Sequence, residues 1–251
     1  METHSRVATL AAGLGIAGAL ALVLGPVAIQ LQAASPFVGF RIFGLGLLFG
    51  LLALIFGCWG LWRTRAASGR AGRERAALGT GLGTTIVAVT LFGAGSGLSA
   101  PPINDITTDL DDPPVFVAAQ EFEVNRGRDF AHAGEELARR QRAAYPDLAP
   151  IRVSQAPDAV WGRAIAVAED LGWEIVARDR SARVFEAVQV TRIFQFVDDI
   201  VVRVRPAYPG STDETGPTGS TVDVRSKSRD GKGDIGANAA RIRAFRDALT
   251  R

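Results

Sequence analysis

The sequence predicts an α+β protein, with about three N-terminal transmembrane helices followed by a small antiparallel-sheet domain with two or more packing helices. Three long stretches without charged side chains predict the transmembrane helices. A segment of alternating residues between amphipathic segments predicts the sheet and the helices that cover it. We therefore divide the chain into a membrane anchor over residues 1–99 and a soluble domain over residues 100–251.

The three apolar stretches cover about residues 7–31, 42–62 and 76–98. A helix needs about 20 apolar residues to cross the hydrocarbon core of a bilayer, so each stretch is long enough. A cleaved signal peptide is the alternative for the first stretch, but its apolar run exceeds the roughly 7 to 15 residues that such peptides use. We therefore expect a retained helix and a multi-pass membrane protein in contact with the lipid bilayer.

Basic residues between the second and third stretches predict the orientation. Against the single acid Glu74, this connection carries five arginines: Arg63, Arg65, Arg70, Arg73 and Arg75. Because positively charged loops stay in the cytoplasm, the third helix then leads residues 100–251 to the other side of the membrane. In the bacterial inner membrane, where we expect the protein, that side is the periplasm.

Glycines recur at four-residue spacing in the second and third stretches. The pairs are Gly46 and Gly50, Gly79 and Gly83, and Gly93 and Gly97. Glycine lets two helix backbones approach closely, and helix association in lipid depends on such packing. The pairs predict either packing of the three helices on one another, which we favour, or a face that recruits a second membrane protein.

Apolar periodicity predicts three helices in the soluble domain. The first covers Gly134 to Ala144, and the second begins at Pro157 and is stopped by Gly172. The third follows Asp234, which we expect to cap it. Four of its residues should point to the core: Ile235, Ile242, Phe245 and Leu249.

Alternation and β-branched residues predict three or four antiparallel strands, with two helices on one face of their sheet. The strands cover Trp173 to Arg178, Arg183 to Val190, Ile200 to Arg205 and Thr221 to Arg229. Asp198 and Asp199 predict a turn before the third strand, and the Pro-, Gly- and Ser-rich residues 206–220 predict a flexible hairpin connection. The last strand alternates strictly, so its even-numbered and odd-numbered residues should lie on opposite faces.

An acidic juxtamembrane segment, residues 103–116, follows the third apolar stretch and contains Asp109, Asp111 and Asp112. Calcium sites use such carboxylate ligands, but this segment lacks the spacing and the terminal glutamate of an EF-hand loop. We therefore keep these three residues as weak metal candidates and expect them to cap turns.

Composition argues against several classes of function. Residues 1–99 carry seven arginines against two glutamates, whereas the remainder is net acidic, which argues against a nucleic-acid partner. Cys58 is the single cysteine, and His4 and His132 are the two histidines. They provide no disulfide, no Cys/His metal cluster and little material for a nucleophile–histidine pair. The sequence therefore predicts no cofactor and no enzyme.

The densest group of polar residues spans the last strand and the start of the last helix. It comprises Arg225, Ser226, Lys227, Ser228, Arg229, Asp234, Asn238 and Arg241. Basic side chains and free backbone N–H groups there could hold an anion such as a lipid phosphate or a carboxylate. The alternative is a structural strand-to-helix turn, in which the arginines pair with Asp223, Asp230 and Asp234.

Three phrases, NDITTDLDDPPVF, VDDIVVRVRP and VDVRSKSRDGKGDIGANAARIRAF, resemble the family called domain of unknown function 1499. The resemblance covers residues 101–250, and the last phrase has the specific motifs Arg-Ser-x-Ser-Arg, Gly-x-x-Asp-x-Gly-x-Asn and Arg-Ile in order. The apolar helices ahead of the domain are similar to those that some members carry. The resemblance implies six positions to test: Asp109, Arg225, Ser226, Asp234, Asn238 and Arg241.

We therefore expect a non-enzymatic, membrane-anchored binding or interaction module of the cell envelope. Its ligand would be an anionic lipid headgroup, an envelope polymer or another membrane protein. Two alternatives remain open. One is a metal-assisted hydrolase that acts on a lipid or cell-wall substrate through Asp109 to Asp112, and the other is an assembly protein that acts through its transmembrane helices.

Overall fold

The structure is a computed structural model that describes residues 5–65, 71–132, 134–207, 212–213, 216–217 and 219–251. The chain forms two compact units, residues 1–95 with Arg192–Gln195 and residues 96–191 with 196–251. His4, Arg70 and parts of the predicted hairpin connection lie outside the described residues.

The first unit contains three long helices, α1 (Arg6–Gln30), α2 (Pro36–Arg63) and α3 (Arg73–Ala94). Each is long and apolar enough to cross a membrane. α2 begins earlier than predicted because Ser35 accepts the N–H of Val38 at 3.5 Å and proline suits the first helical position. α3 ends earlier than predicted, at the 3₁₀ turn that follows it.

Glycines lie where these helices pack closely on one another, and these lines of close backbone contact are here called helix seams. A Cβ on Gly46 would lie 2.7 Å from the backbone nitrogen of Leu22 in α1, and one on Gly83 would lie 2.6 Å from the carbonyl oxygen of Gly50 in α2. These positions therefore face helices of the same chain, which supports intramolecular packing. A Cβ on Gly93, by contrast, would have no described atom within 4 Å beyond its neighbours in the helix.

The second unit is built on a six-stranded antiparallel sheet. Its strands are β1 (Asp105–Thr107), β2 (Ile151–Val153), β3 (Glu174–Asp179), β4 (Val184–Val190), β5 (Val197–Pro206) and β8 (Ser220–Ser228). The order across the sheet is β1-β8-β5-β4-β3, and β2 pairs with β8 on the same side as β1. Two short strands, β6 (Thr212–Asp213) and β7 (Gly216–Pro217), pair with each other between β5 and β8.

Two helices cover one face of this sheet, as the sequence predicts. α6 (Pro157–Asp170) and α7 (Ala237–Leu249) pack on the inward side chains of the long strands. Trp173 stacks on Phe245 in this core, with ring centroids 5.0 Å apart. The other fully buried members include Phe185, Ile200, Val202, Val222, Val224, Ile242 and Leu249.

Residues 108–132, here called the covering segment, lie over the opposite face. They contain α4 (Ala118–Glu121) and a 3₁₀ turn. Phe116 and Phe130 meet edge to face, with centroids 5.2 Å apart, and pack with the buried Val201 of β5. Both faces of the central strands are therefore covered.

Several element predictions are confirmed. α5 (Gly134–Ala144) has the predicted bounds, and α6 begins at the predicted proline. The even-numbered residues of β8 lie toward the core under α7. Arg225 and Lys227 lie on the opposite face, where both bond to Asp105 of β1 and Arg225 also bonds to the covering segment.

Three other predictions are wrong. β1 and β2 were missed, so the sheet has six strands rather than three or four. Asp198 and Asp199 lie buried within β5 and form no turn, and the chain instead reverses between Thr191 and Phe196, whose backbones share a 2.8 Å hydrogen bond. Ile235 is 55% exposed instead of pointing to the core, because its φ of 53° places it in the turn before α7.

Candidate functional site

Alternation along β8 divides the predicted binding residues between two networks. Ser226 and Ser228 bond to side chains of α7, whereas Arg225 bonds to the covering segment on the opposite face. The sequence placed these residues in one polar group. The sheet therefore separates side chains that are adjacent along the chain.

The first network fastens α7 to the sheet. Arg241 forms an ion pair with Asp198 at 2.5 Å and donates to the Ser226 hydroxyl at 2.9 Å and to the Asn238 amide oxygen. The Asn238 amide donates to the Ser228 hydroxyl at 3.0 Å. All five side chains are buried, so these hydrogen bonds satisfy groups that would otherwise be costly to remove from water.

Asp234 bonds to the start of α7, as predicted, although it lies two residues before the N-cap position, which Gly236 occupies. Its carboxylate accepts the backbone N–H of Gly236 at 2.9 Å and that of Asn238 at 2.7 Å. A negative charge at a helix N-terminus also interacts favourably with the helix dipole. Burial raises the pKa of Asp234 above its ordinary value, and the two backbone donors offset only part of this increase.

The second network centres on Arg225, which is 2% exposed. Its guanidinium forms a bidentate pair with Asp105 of β1, at 2.9 and 2.7 Å, and donates to the carbonyls of Pro114 and Phe130. Lys227 donates to the same carboxylate at 3.0 Å. Burial alone would raise the pKa of Asp105, but the two cations outweigh it and lower that pKa.

A second buried pair lies on the same face. Arg229 donates to both carboxylate oxygens of Asp199, at 2.9 and 2.6 Å. Asn125 of the covering segment donates to Asp199 at 3.2 Å, and the ring of Phe122 lies 5.8 Å from the Arg229 guanidinium carbon.

The arginines pair internally, as the structural alternative requires, but their partners are not those predicted. Arg225, Arg229 and Arg241 pair with Asp105, Asp199 and Asp198, in that order. The predicted partner Asp223 instead pairs with Arg203 and Arg205 of β5. The sequence thus indicated internal pairing but assigned the wrong carboxylates.

The weak metal candidates mainly make a turn and ion pairs. The Asp109 carboxylate accepts the backbone N–H groups of Asp111 and Asp112, at 3.2 and 2.9 Å, and an N–H of Arg205 at 2.8 Å. Asp112 pairs with Arg203 at 3.0 Å. Within the described ranges, no group of three or more His, Cys, Asp or Glu side chains is arranged to hold a metal ion.

A polar cleft of about 210 Å³ opens beside the second network. Its lining residues are Asn104, Arg128, Asp129, Phe130, Asp199, Lys227, Ser228 and Arg229. The cleft therefore brings together three of the eight predicted binding residues and leaves the other five outside. Three cations and two carboxylates line it. Arg128 and Lys227 also pair with Asp230 and Asp105 outside the lining, at 3.6 and 3.0 Å.

His132 lies near the second network but does not line the cleft. Its pKa is lowered, first by burial and then by Arg225 and Lys227, although the Asp105 carboxylate opposes this decrease. The imidazole is therefore neutral at neutral pH, and its charge does not contribute to anion attraction there.

Sequence reasoning missed Asn104 and Arg128 as site residues. Both reach the cleft through long-range folding, because β1 pairs with β8 and the covering segment returns across the sheet. Neither contact has a signal in the local sequence pattern.

The chain is an α+β protein with a candidate membrane anchor of three helices that are able to span a bilayer. Buried ion pairs join elements of its antiparallel-sheet domain. The chain belongs to the family described as "Protein of unknown function (DUF1499)", whose model matches residues 105–249. The match begins at the partner of Arg225 and ends at the last residue of α7, so it coincides with the sheet domain. No curated protein matches the chain.

Proposed function

We propose that the protein is a membrane-anchored binding module of the cell envelope, whose C-terminal domain faces the periplasm and holds an anionic group in the polar cleft. The observation that supports this most directly is the convergence of Arg128, Lys227 and Arg229 on one cleft. The module has no catalytic role in this proposal. The five arginines from Arg63 to Arg75, in the connection between α2 and α3 and at the adjoining helix ends, support the periplasmic orientation.

Hydrogen-bond donors remain available in the cleft. An ammonium has three N–H groups, and within the described chain Lys227 uses one of them on Asp105. Arg229 engages Asp199 through Nε and Nη2, which leaves Nη1 without a described partner. A phosphate or carboxylate would accept from both side chains with charge-assisted hydrogen bonds.

The test uses the full chain in lipid nanodiscs, with glycerol 3-phosphate as the probe and calorimetric titration as the measurement. Lys227→Met should weaken binding about tenfold or more, since a hydrogen bond to a charged group contributes roughly 1.5–3 kcal/mol. The fold should survive, because Asp105 keeps its bidentate pair with Arg225. Lys232→Met is the matched control, because Lys232 is exposed and outside the cleft.

Absence of binding by the parent protein, or equal weakening by both variants, contradicts the proposal. Competition distinguishes the two sources of the anion. If anionic lipid in the nanodisc displaces the probe and zwitterionic lipid does not, the ligand is a lipid headgroup. If neither lipid displaces the probe, the ligand is a soluble or polymeric anion.

A further inference from the structure

A second cavity, here called the apolar groove, lies on the same sheet face as the covering segment and has a volume of about 420 Å³. Val184 and Val201 of the sheet and Val115 and Val117 of the covering segment are among its lining residues. Val115 and Val117 are 64% and 63% exposed, whereas Phe116 between them is fully buried. The covering segment therefore places one aromatic ring in the core and leaves two adjacent valines in the groove.

The two least exposed charged side chains around this groove, Glu186 and Arg203, are already paired, whereas Glu121, Arg178 and Asp179 are exposed at its margin. The Glu186 carboxylate accepts the backbone N–H groups of Val117, Ala118 and Ala119 at 2.7–2.8 Å. Arg203 is paired with carboxylates of the acidic segment and of β8. The groove thus offers mainly apolar surface without a free buried charge, which is the lining typical of small-molecule pockets.

An extended peptide and an acyl chain are the two occupants to compare for this groove. A peptide would add to β3, the edge strand beside it. Half of the residues in β3 are charged, and its pairing with β4 shifts register between Ile175 and Ala177. Because charges and bulges protect sheet edges from strand addition, these features disfavour a peptide.

The volume of the groove and the proximity of a bilayer favour a lipid chain. The volume of 420 Å³ falls within the roughly 300–1,000 Å³ that is typical of small-molecule sites. It would hold about a dozen methylene groups, each taken as similar to the roughly 30 Å³ of a water molecule. The three candidate membrane-spanning helices tether the domain to a bilayer, which keeps the effective concentration of lipid high.

We propose that the apolar groove binds the acyl chain of a membrane lipid. This site is separate from the polar cleft, and the proposal does not depend on anion binding there.

Photo-crosslinking of the full chain in cell membranes tests the proposal. In Val117→p-benzoylphenylalanine the photoreactive group lies in the groove, and irradiation should add the mass of one lipid to the protein. Val124→p-benzoylphenylalanine is the matched control, because Val124 is also 63% exposed but does not line the groove. The control should give little or no lipid adduct.

A second substitution fills the groove. Ala182 is exposed and lines the groove, so Ala182→Trp should leave the fold intact, which an unchanged thermal midpoint would verify. The lipid adduct at position 117 should then fall about fivefold or more, since the bulky indole occupies the same space. An adduct with the mass of a polypeptide, equal lipid adducts at positions 117 and 124, or no adduct at all would each overturn the proposal.

Discussion

Among single residues, Arg225 holds the second face of the sheet together, because it joins β8 to β1 and to two carbonyls of the covering segment. Arg225→Met would leave Asp105 buried with Lys227 as its remaining partner. Breaking a buried ion pair on one side costs about 3–5 kcal/mol, so the free energy of unfolding should fall by that amount. Denaturant titration of the full chain, followed by tryptophan fluorescence, to which the buried Trp173 contributes, measures the change.

Arg152→Met is the control for this prediction, because Arg152 is exposed on β2. Its effect should stay within about 0.5 kcal/mol, as is usual for surface substitutions. Adding Asp105→Leu to Arg225→Met should restore much of the lost stability, since the second substitution removes a buried carboxylate that keeps only Lys227 as its partner. A similar cost for Arg225→Met and Arg152→Met would show that the pair does not stabilise the domain.

The residue scale also shows what the sequence could not predict about the site. A polar group around β8 was predictable because its members are close in sequence, and internal pairing of the arginines was a reasonable alternative. Their partners were not predictable. Arg225 lies 120 positions after Asp105. Asp198 and Asp199 suggested a turn because nothing local indicates that Arg241 of α7 and Arg229, just after β8, neutralise them within a strand.

At the scale of elements, α3 contains a matched pair of glycines that tests the helix seams. A Cβ on Gly83 would lie 2.6 Å from backbone atoms of α2, whereas one on Gly81 would meet no described atom within 4 Å. Gly83→Ala should therefore lower the thermal midpoint of the protein in detergent, because the helices must move apart. Gly81→Ala should leave it unchanged or raise it, since alanine favours a helix by up to about 1 kcal/mol over glycine. Equal midpoints would mean that the seam does not depend on close backbone approach.

Another element-scale prediction concerns α7 and pH. Hydrogen bonds from Arg243 are the first cause that lowers the pKa of Asp147 to about 2, and Arg246 contributes as well. Because this folded-state pKa lies below the ordinary 3.8, the interaction stabilises the fold above pH 3.8 and is lost as the pH falls toward 2. The carboxylate is 44% exposed, so solvent screening limits the contribution to about 0.5–1 kcal/mol.

Asp147→Asn should therefore be less stable than the parent at pH 6 and nearly equal to it near pH 2, as measured by thermal unfolding. The same substitution in an Arg243→Met, Arg246→Met background should change stability little at either pH, because the partners are gone. A constant difference between Asp147→Asn and the parent across this range would contradict the assignment.

Elements with their own periodicity were predictable, and elements defined by distant partners were not. The three apolar helices, α6, α7 and β8 show long patterns that the final fold preserves. β1 and β2 have three residues each, which is too short for an alternating pattern to be recognised in the sequence. Both form by pairing with the free edge of β8. The covering segment was likewise irregular in sequence, and its role depends on the buried contacts of Phe116 and Phe130.

At the scale of the whole molecule, the family match covers the large sheet and excludes the three long apolar helices. The matched residues 105–249 contain all six strands of the large sheet, and the three apolar helices precede them. The candidate membrane anchor therefore lies outside the part of the chain that matches the family, so the sheet domain and the membrane location can be tested by independent experiments.

Membrane topology is the prediction on which every envelope ligand depends. Reporter fusions after Gln32, Arg65 and Arg251 sample the connection after α1, the connection after α2 and the end of the chain. Because the arginine-rich connection should stay in the cytoplasm, alkaline phosphatase should be active after Gln32 and Arg251, and a cytoplasmic reporter should be active after Arg65. If Arg65 and Arg251 report the same compartment, α3 does not cross the membrane. The domain would then contact cytosolic molecules, and the polar cleft would have to be tested against cytosolic anions instead.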